Sequence, residues 1–317
     1  MADPKDQKTQ LYEDYANGYL LRDAQVGMVR AFNLIPLFPS AGVKGSKLTV
    51  IKSTPIDKFK DKDGGYKKVA EGADVRRIVG EVETADGLTL VHNEIEYVIS
   101  NEDMNRPTFN LPDELKAMTY VLGLDAEEVL AKAIRANAKI KVDADKLTGK
   151  WADSGTTTDI LTSDVTEIIA ASRGTPIKIN WLAYGNRANI ELTKKCGIAV
   201  GNWKIPQNEY EIDSAISFGN AQHLYGGEFM NDGELFGGDI NNPGVKVFYQ
   251  EFENPEVKQA PLPEGMNPKF APFMRMMMFD DSKTSTKPKT TIKVANAVGA
   301  YIPQEGHRLF SLDDILS

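Results

Sequence analysis

Residues 94–118 read EIEYVISNEDMNRPTFNLPDELKAM, and two periodicities meet inside them. Glu94 to Ile99 alternates polar and apolar side chains, the period of a strand with one buried face. From Asn110 the pattern becomes that of a helix. Asn110 is suited to cap it, and Pro112 falls in the first turn, where a missing N–H costs little. Asp113 and Glu114 sit at the positive end of the helix dipole. Leu115, Met118, Leu122, Val129 and Ala133 recur at spacings of three, four or seven, which predicts one apolar stripe on a helix over 110–138. Glu128 and Lys132 form an i,i+4 pair on the other face. At about 1.5 Å per residue the rod is roughly 40 Å long, with Gly123 as its expected bend.

Toward the N-terminus, residues 42–101 read as extended hairpins. KLTVI at 47–51 alternates as EIEYVI does, and DKDGG at 61–65 and ADG at 85–87 are turn-forming sequences. Charge is concentrated in DKFKDKDGGYKK at 57–68. An isolated two-stranded ribbon is marginal in water, so this one is expected to lie on another surface, of its own domain or of a neighbour. Residues 1–27 read as a polar arm. MVRAFNLIPLFP at 28–39 is apolar and holds two prolines, which predicts extended chain rather than helix. It is expected either as an edge strand on its own domain or as an arm docked on a neighbour.

Toward the C-terminus, Trp151, Asp153 and SGTTTD read as a polar loop, and SDVTEIIAAS at 163–172 as a capped amphipathic helix ended by Gly174 and Pro176. IKINWLA at 177–183 reads as a buried strand, and 186–195 as a second short helix stopped by Gly197. Residues 219–245, rich in Gly and Asn, and 253–272, rich in Pro and Glu, read as long loops. VKVFYQEF at 245–252 and residues 289–303 are strand candidates. Helix, strand and helix in succession indicate a mixed domain.

Composition narrows the function. The chain has 317 residues, 41% hydrophobic and 26% charged, as folded proteins do. Its formal net charge of −8 argues against general phosphate-backbone binding, which needs clustered cations. Cys196 is the one cysteine, so no intramolecular disulfide forms. The polar start shows no signal sequence and no run reaches membrane-spanning length, so a soluble, cytosolically made protein without a membrane partner is expected. His92, His223 and His307 are far apart in sequence, with no HExxH or CxxC spacing, so no metal site is expected. GVKGSK at 42–47 fails the phosphate-loop spacing. Aligning Gly64 with the glycine of a calcium loop puts Phe59 and Ala70 at its end ligand positions. The acidic GGEFMNDGELFGGD stretch reads as a surface loop. No catalytic residue and no cofactor are expected.

The order of elements carries a resemblance. AFNLIPLFP, EIEYVISNEDMNRPTFNLPDELKAM, DILTSDVTEIIAASRGTPIKINWLAYGNRANIEL and the strand-rich C-terminal end together resemble the major capsid proteins of tailed double-stranded DNA phages, which share the Hong Kong 97 capsid fold. The resemblance begins near Arg30 and is weakest over 203–270. It implies an α+β fold: an N-terminal arm over 1–41, an extended β-hairpin (E-loop) region over 42–101, and a peripheral domain with its spine helix over 102–159. An axial α/β domain over 160–288 and a C-terminal return over 289–317 complete it. It also implies a homo-oligomer of pentamers and hexamers that closes into an icosahedral shell, with packaged DNA inside and no sequence-specific binding. Portal and scaffold proteins are implied partners, and decoration proteins further ones. The arm before Arg30 is short, so the scaffold is expected as a separate protein or not at all. Candidate contacts between subunits are Phe32, Leu34, Ile35, Leu37 and Phe38 in the arm, and Lys58, Lys60, Lys62, Lys67, Lys68, Arg76 and Arg77 in the hairpin. The alternatives are an encapsulin-type shell around a cargo enzyme, and a small-molecule enzyme whose site forms only in the fold.

Overall fold

The computed structural model describes residues 4–52, 83–84, 87–104, 106, 109–140, 142, 147–148, 150–172, 178–196, 202–204, 211–213, 217–218, 221–254, 256–258, 273–280, 289–302 and 308–316, and the structural statements that follow concern these. The helices are α1 (Pro4–Ala16), α2 (Tyr19–Arg30), α3 (Asn101–Met104), α4 (Leu111–Asn137), α5 (Thr158–Ala170) and α6 (Asn186–Cys196).

The strand Lys289–Tyr301 organises the first sheet. Along one side it pairs antiparallel with Val91–Ser100, from Lys289 opposite Ser100 to Val298 opposite Val91. Along the other it pairs first with Met274–Asp280 and then with Lys246–Gln250, to which Ser40–Val43 adds in parallel. Alternation sorts the two faces. Ile95 and Ile99, Ile292 and Val294, and Met274 and Met276 join Leu115, Leu122, Leu130 and Ile134 of α4 in the first core.

The second sheet runs Ser217–Phe218, Ala221–Tyr225, Trp181–Tyr184, Leu235–Gly238, Leu309–Leu312. Trp181 and Ala183 face the first core, while Leu182 and Tyr184 face a second core that holds Leu161, Val165 and Ile168 of α5 and Ala188 and Leu192 of α6. A strand buried on both faces needs apolar side chains at every position, which is why WLAY does not alternate.

The long helix spans the predicted range, and Lys132 Nζ lies 2.8 Å from Glu128 Oε1. Gly123 is needed for a crossing: a Cβ there would stand 2.2 Å from the Met28 carbonyl oxygen, and one on Gly27 would stand 2.3 Å from that of Lys116. The two glycines let α2 lie against α4 at backbone distance.

Four sequence expectations are corrected. Residues 4–30 form two helices and not a polar arm, because Leu20, Leu21, Ala24 and Met28 give α2 a buried stripe at helical spacing. Residues 28–39 end that helix and turn through a 3₁₀ segment, Ile35–Leu37, in which Pro36 occupies a first-turn position. Residues 219–245 contain two strands of the second sheet, where Leu235 and Phe236 are fully buried. Helix α5 starts at Thr158, five residues before the expected Ser163, with Thr157 at its N-cap.

Candidate functional site: a subunit contact surface

The extended hairpin is described at its root. Lys47 and Leu48 pair with Thr89 and Leu88, the Leu90 amide donates to Ser46 O at 2.8 Å, and Ile51 and Lys52 pair with Thr84 and Glu83. Leu90 packs with Phe248 and Ala297, with Leu48, Leu88 and Tyr301 against them, on the sheet face turned away from α4. Apolar burial therefore fixes the root of the hairpin on the sheet. Lys58, Lys60, Lys62, Lys67, Lys68, Arg76 and Arg77 lie outside the described residues.

Phe32, Leu34, Ile35, Leu37 and Phe38, expected as candidate contacts with a neighbour, are instead buried in their own chain's first core. Phe38 meets Trp181 edge-on at 5.8 Å between ring centroids, which ties this turn to the second sheet. The cause is the run FNLIPLF, apolar at every position but Asn33, whose surface the chain covers itself.

Three buried carboxylates set the geometry around these elements. Glu127 on α4 accepts the backbone N–H groups of Asn33 (2.8 Å), Leu34 (2.8 Å) and Ile35 (2.9 Å), pinning the 33–35 turn to the helix. Burial pushes its carboxyl up to about 7, against the opposing pull of those three bonds. Glu234, fully buried, takes a two-pronged contact from Arg135 in the last turn of α4, at 2.5 and 2.6 Å. Arg135 also donates to Phe229 O, and the Glu234 carbonyl accepts from the Gly185 amide at 2.8 Å. Asp164 on α5 accepts from Thr148 and from Trp151 Nε1. Sequence reading missed all three; Glu127 lies three and seven residues before the buried Leu130 and Ile134, outside the stripe read from the sequence.

Of the histidines, His223 is buried, stacked on Tyr184 with its Nδ1 2.7 Å from the hydroxyl, and His92 lies on the surface 3.8 Å from Glu94. His307 and the Cys196 side chain lie outside the described residues. Among those residues no group of three or more His, Cys, Asp or Glu side chains could hold a metal ion. No described helix is long and apolar enough to cross a membrane.

Among the described residues, the other end of the sheet face that holds the hairpin root carries exposed apolar side chains. Val98, Thr291 and Phe279 sit opposite one another across three strands, and the outer two are 48% and 44% exposed. One row along, Glu96 pairs with Lys293 at 2.8 Å, and Glu94 stands 3.5 Å from the same ammonium.

Two sheets with a shared wall, a long helix buried along one side and a hairpin root on the first sheet define a class: the chain has an α+β fold of the Hong Kong 97-like capsid kind. It is similar to a virus-like particle from Pyrococcus furiosus at 12% identity, covering 92% of this chain and 97% of that one with a TM-score of 0.50. It is similar also to a phage-related protein from Bordetella bronchiseptica RB50, at 13% identity, 92% and 96% coverage and a TM-score of 0.51. The capsid of a native GTA particle matches at 13% identity, 89% of each chain and a TM-score of 0.51. No protein-family model and no curated protein sequence matches the chain.

Proposed function

We propose that this chain is a structural subunit, the major capsid protein of a tailed double-stranded DNA phage, that assembles with copies of itself into an icosahedral head. The observation that carries the reading is the extent of the fold likeness: it takes in 92% of this chain and 97% of the virus-like particle subunit, so the shared architecture is the whole molecule. The hairpin root supports it, because a two-stranded ribbon is marginal alone in water and needs a surface to lie on. The role is structural, and many modest contacts per subunit add up through multivalency. DNA is enclosed without being read, as suits a chain with a net charge of −8. Portal and scaffold proteins are its further partners, decoration proteins bind outside where used, and the subunit is made in the host cytoplasm before entering the virion.

Negative-stain electron microscopy with size-exclusion chromatography of the recombinant chain tests this. Hollow shells, or rings of five or six subunits, are the expected result. A 35.0 kDa monomer that persists under crowding and with neighbouring viral genes co-expressed would remove the shell reading. Shells that copurify with an enzyme cargo would point to a storage compartment instead.

A further inference from the structure

Strand Lys289–Tyr301 is the piece on which the first sheet depends. Among the described residues it is the one strand that Val91–Ser100 and Met274–Asp280 pair with, and it holds Lys246–Gln250 as well. Without it, what stays bonded in that sheet is Ser40–Val43 against Lys246–Gln250, and a two-stranded ribbon is marginal in water. Its side chains Ile292, Val294 and Val298 are buried in the first core. Asn296, wholly buried, donates to the Leu122 carbonyl of α4 at 3.0 Å, so the strand fixes the long helix too.

Residues 309–315 do the same for the second core. Leu309–Leu312 pairs with Leu235–Gly238, with Leu309 in the first core and Phe310 in the second. The Ile140 amide donates to Leu309 O at 3.1 Å, the Trp151 amide to Ile315 O at 3.1 Å, and the Ile315 amide to Gly233 O at 2.9 Å. Ile315 itself is buried among the second-core side chains. One short stretch therefore ties the chain after α4, the chain before α5 and the approach to a sheet strand. The second sheet also needs the first core, since Trp181, Leu224 and Phe236 are covered there.

Every partner named for residues 289–315 precedes them in the chain and is therefore made before them. Joining Lys289 to Ser100 and Val298 to Val91 closes very long loops, whose entropy is spent before the contacts repay it. Chains commonly begin to fold from the N-terminal side during synthesis. Here the N-terminal side has no finished core to fold into. We propose that residues 289–315 are a closing strap that makes folding wait for their own synthesis: neither core forms while this segment is inside the ribosome, and both close together once it is free. An unfinished chain then offers no folded surface to other copies. That consequence for assembly rests on the shell reading, whereas the order of folding does not.

The full chain tests it. Translated in a cell-free system from a message without a stop codon, all 317 residues stay tethered with 289–317 in the ribosome exit tunnel. A pulse of protease should cut this chain throughout 4–280. Release of the same chain by puromycin should slow the cleavage about tenfold or more, since cleavage tracks the open population. In the released chain, Val294→Asp, a change in the first core, should leave 158–238 cleavable as well. A resistant fragment spanning either core on the ribosome, cleavage unchanged by release, or a resistant 158–238 in the Val294→Asp chain would overturn the strap. The cleavage is read on single chains. Absence of particles under the conditions above would therefore remove the shell reading and leave the folding order standing, and an early resistant core would do the reverse.

Discussion

Among the described residues, backbone alone holds Glu127. Three amides converge on a carboxylate that is wholly buried, and burial raises its pKa from an ordinary 4.5 to about 7. The sign follows from linkage. Between those two values the folded chain binds more protons at this position than the unfolded one, so stability falls as pH rises. The contribution is fully present below about 4.5 and is lost as pH passes through about 7. At about 1.4 kcal/mol per pKa unit it amounts to on the order of 3 kcal/mol at most. Glu127→Gln keeps an oxygen for the amides and removes the titration. Urea midpoints of the monomeric chain from pH 5 to 8 should therefore slope downward in wild type and flatten in the variant. Equal slopes would mean that Glu127 does not titrate in this window.

At the scale of the element, α4 shows how far sequence reaches. Its span, its Pro112 start and its Glu128–Lys132 pair were legible, because local spacing is a property of neighbouring residues; the expected Asn110 cap bond is not made, since that side chain donates to Asp113 instead. Leu115 and Leu122 were rightly placed on the buried side. Thr119, Ala126, Leu130, Ala131 and Ile134 were not, since α2 and the sheet enclose a wider arc than one stripe and contacts so distant in sequence leave no local periodicity. The helix α2 was hidden for a related reason: polar residues dominate 1–27, and its stripe has value only against α4. In the contact surface, the hairpin root was legible and the burial of Phe32 to Phe38 was not, because apolar sequence says that something covers it without saying what. Two substitutions separate packing from propensity. Leu115→Ala empties a fully buried position and should cost about 2–5 kcal/mol. Gly123→Ala gains up to about 1 kcal/mol in helix propensity but drives a Cβ to 2.2 Å from the Met28 carbonyl, so it should destabilise on balance. A thermal melt above wild type for Gly123→Ala would mean that α2 can move away from α4.

For the whole molecule, the second sheet decides how the parts cooperate. One face of Trp181–Tyr184 belongs to each core, Leu309 and Phe310 divide in the same way, and Arg135 bonds the end of α4 to the buried Glu234 just before the strand Leu235–Gly238. Neither core is closed without the shared sheet. Losing one core would expose apolar faces of the other at roughly 25 cal/mol per Å², so partial unfolding is disfavoured. The monomeric chain should unfold in urea through one transition seen alike by tryptophan fluorescence and far-ultraviolet circular dichroism. Leu115→Ala in the first core and Phe310→Ala in the second should each move that single midpoint, the latter by about 3–5 kcal/mol. Arg135→Met, which leaves Glu234 without its cation, should do the same by a similar amount. Two separated transitions, with each substitution shifting only its own, would mean that the cores fold independently and that the sheet between them is an interface rather than a shared wall.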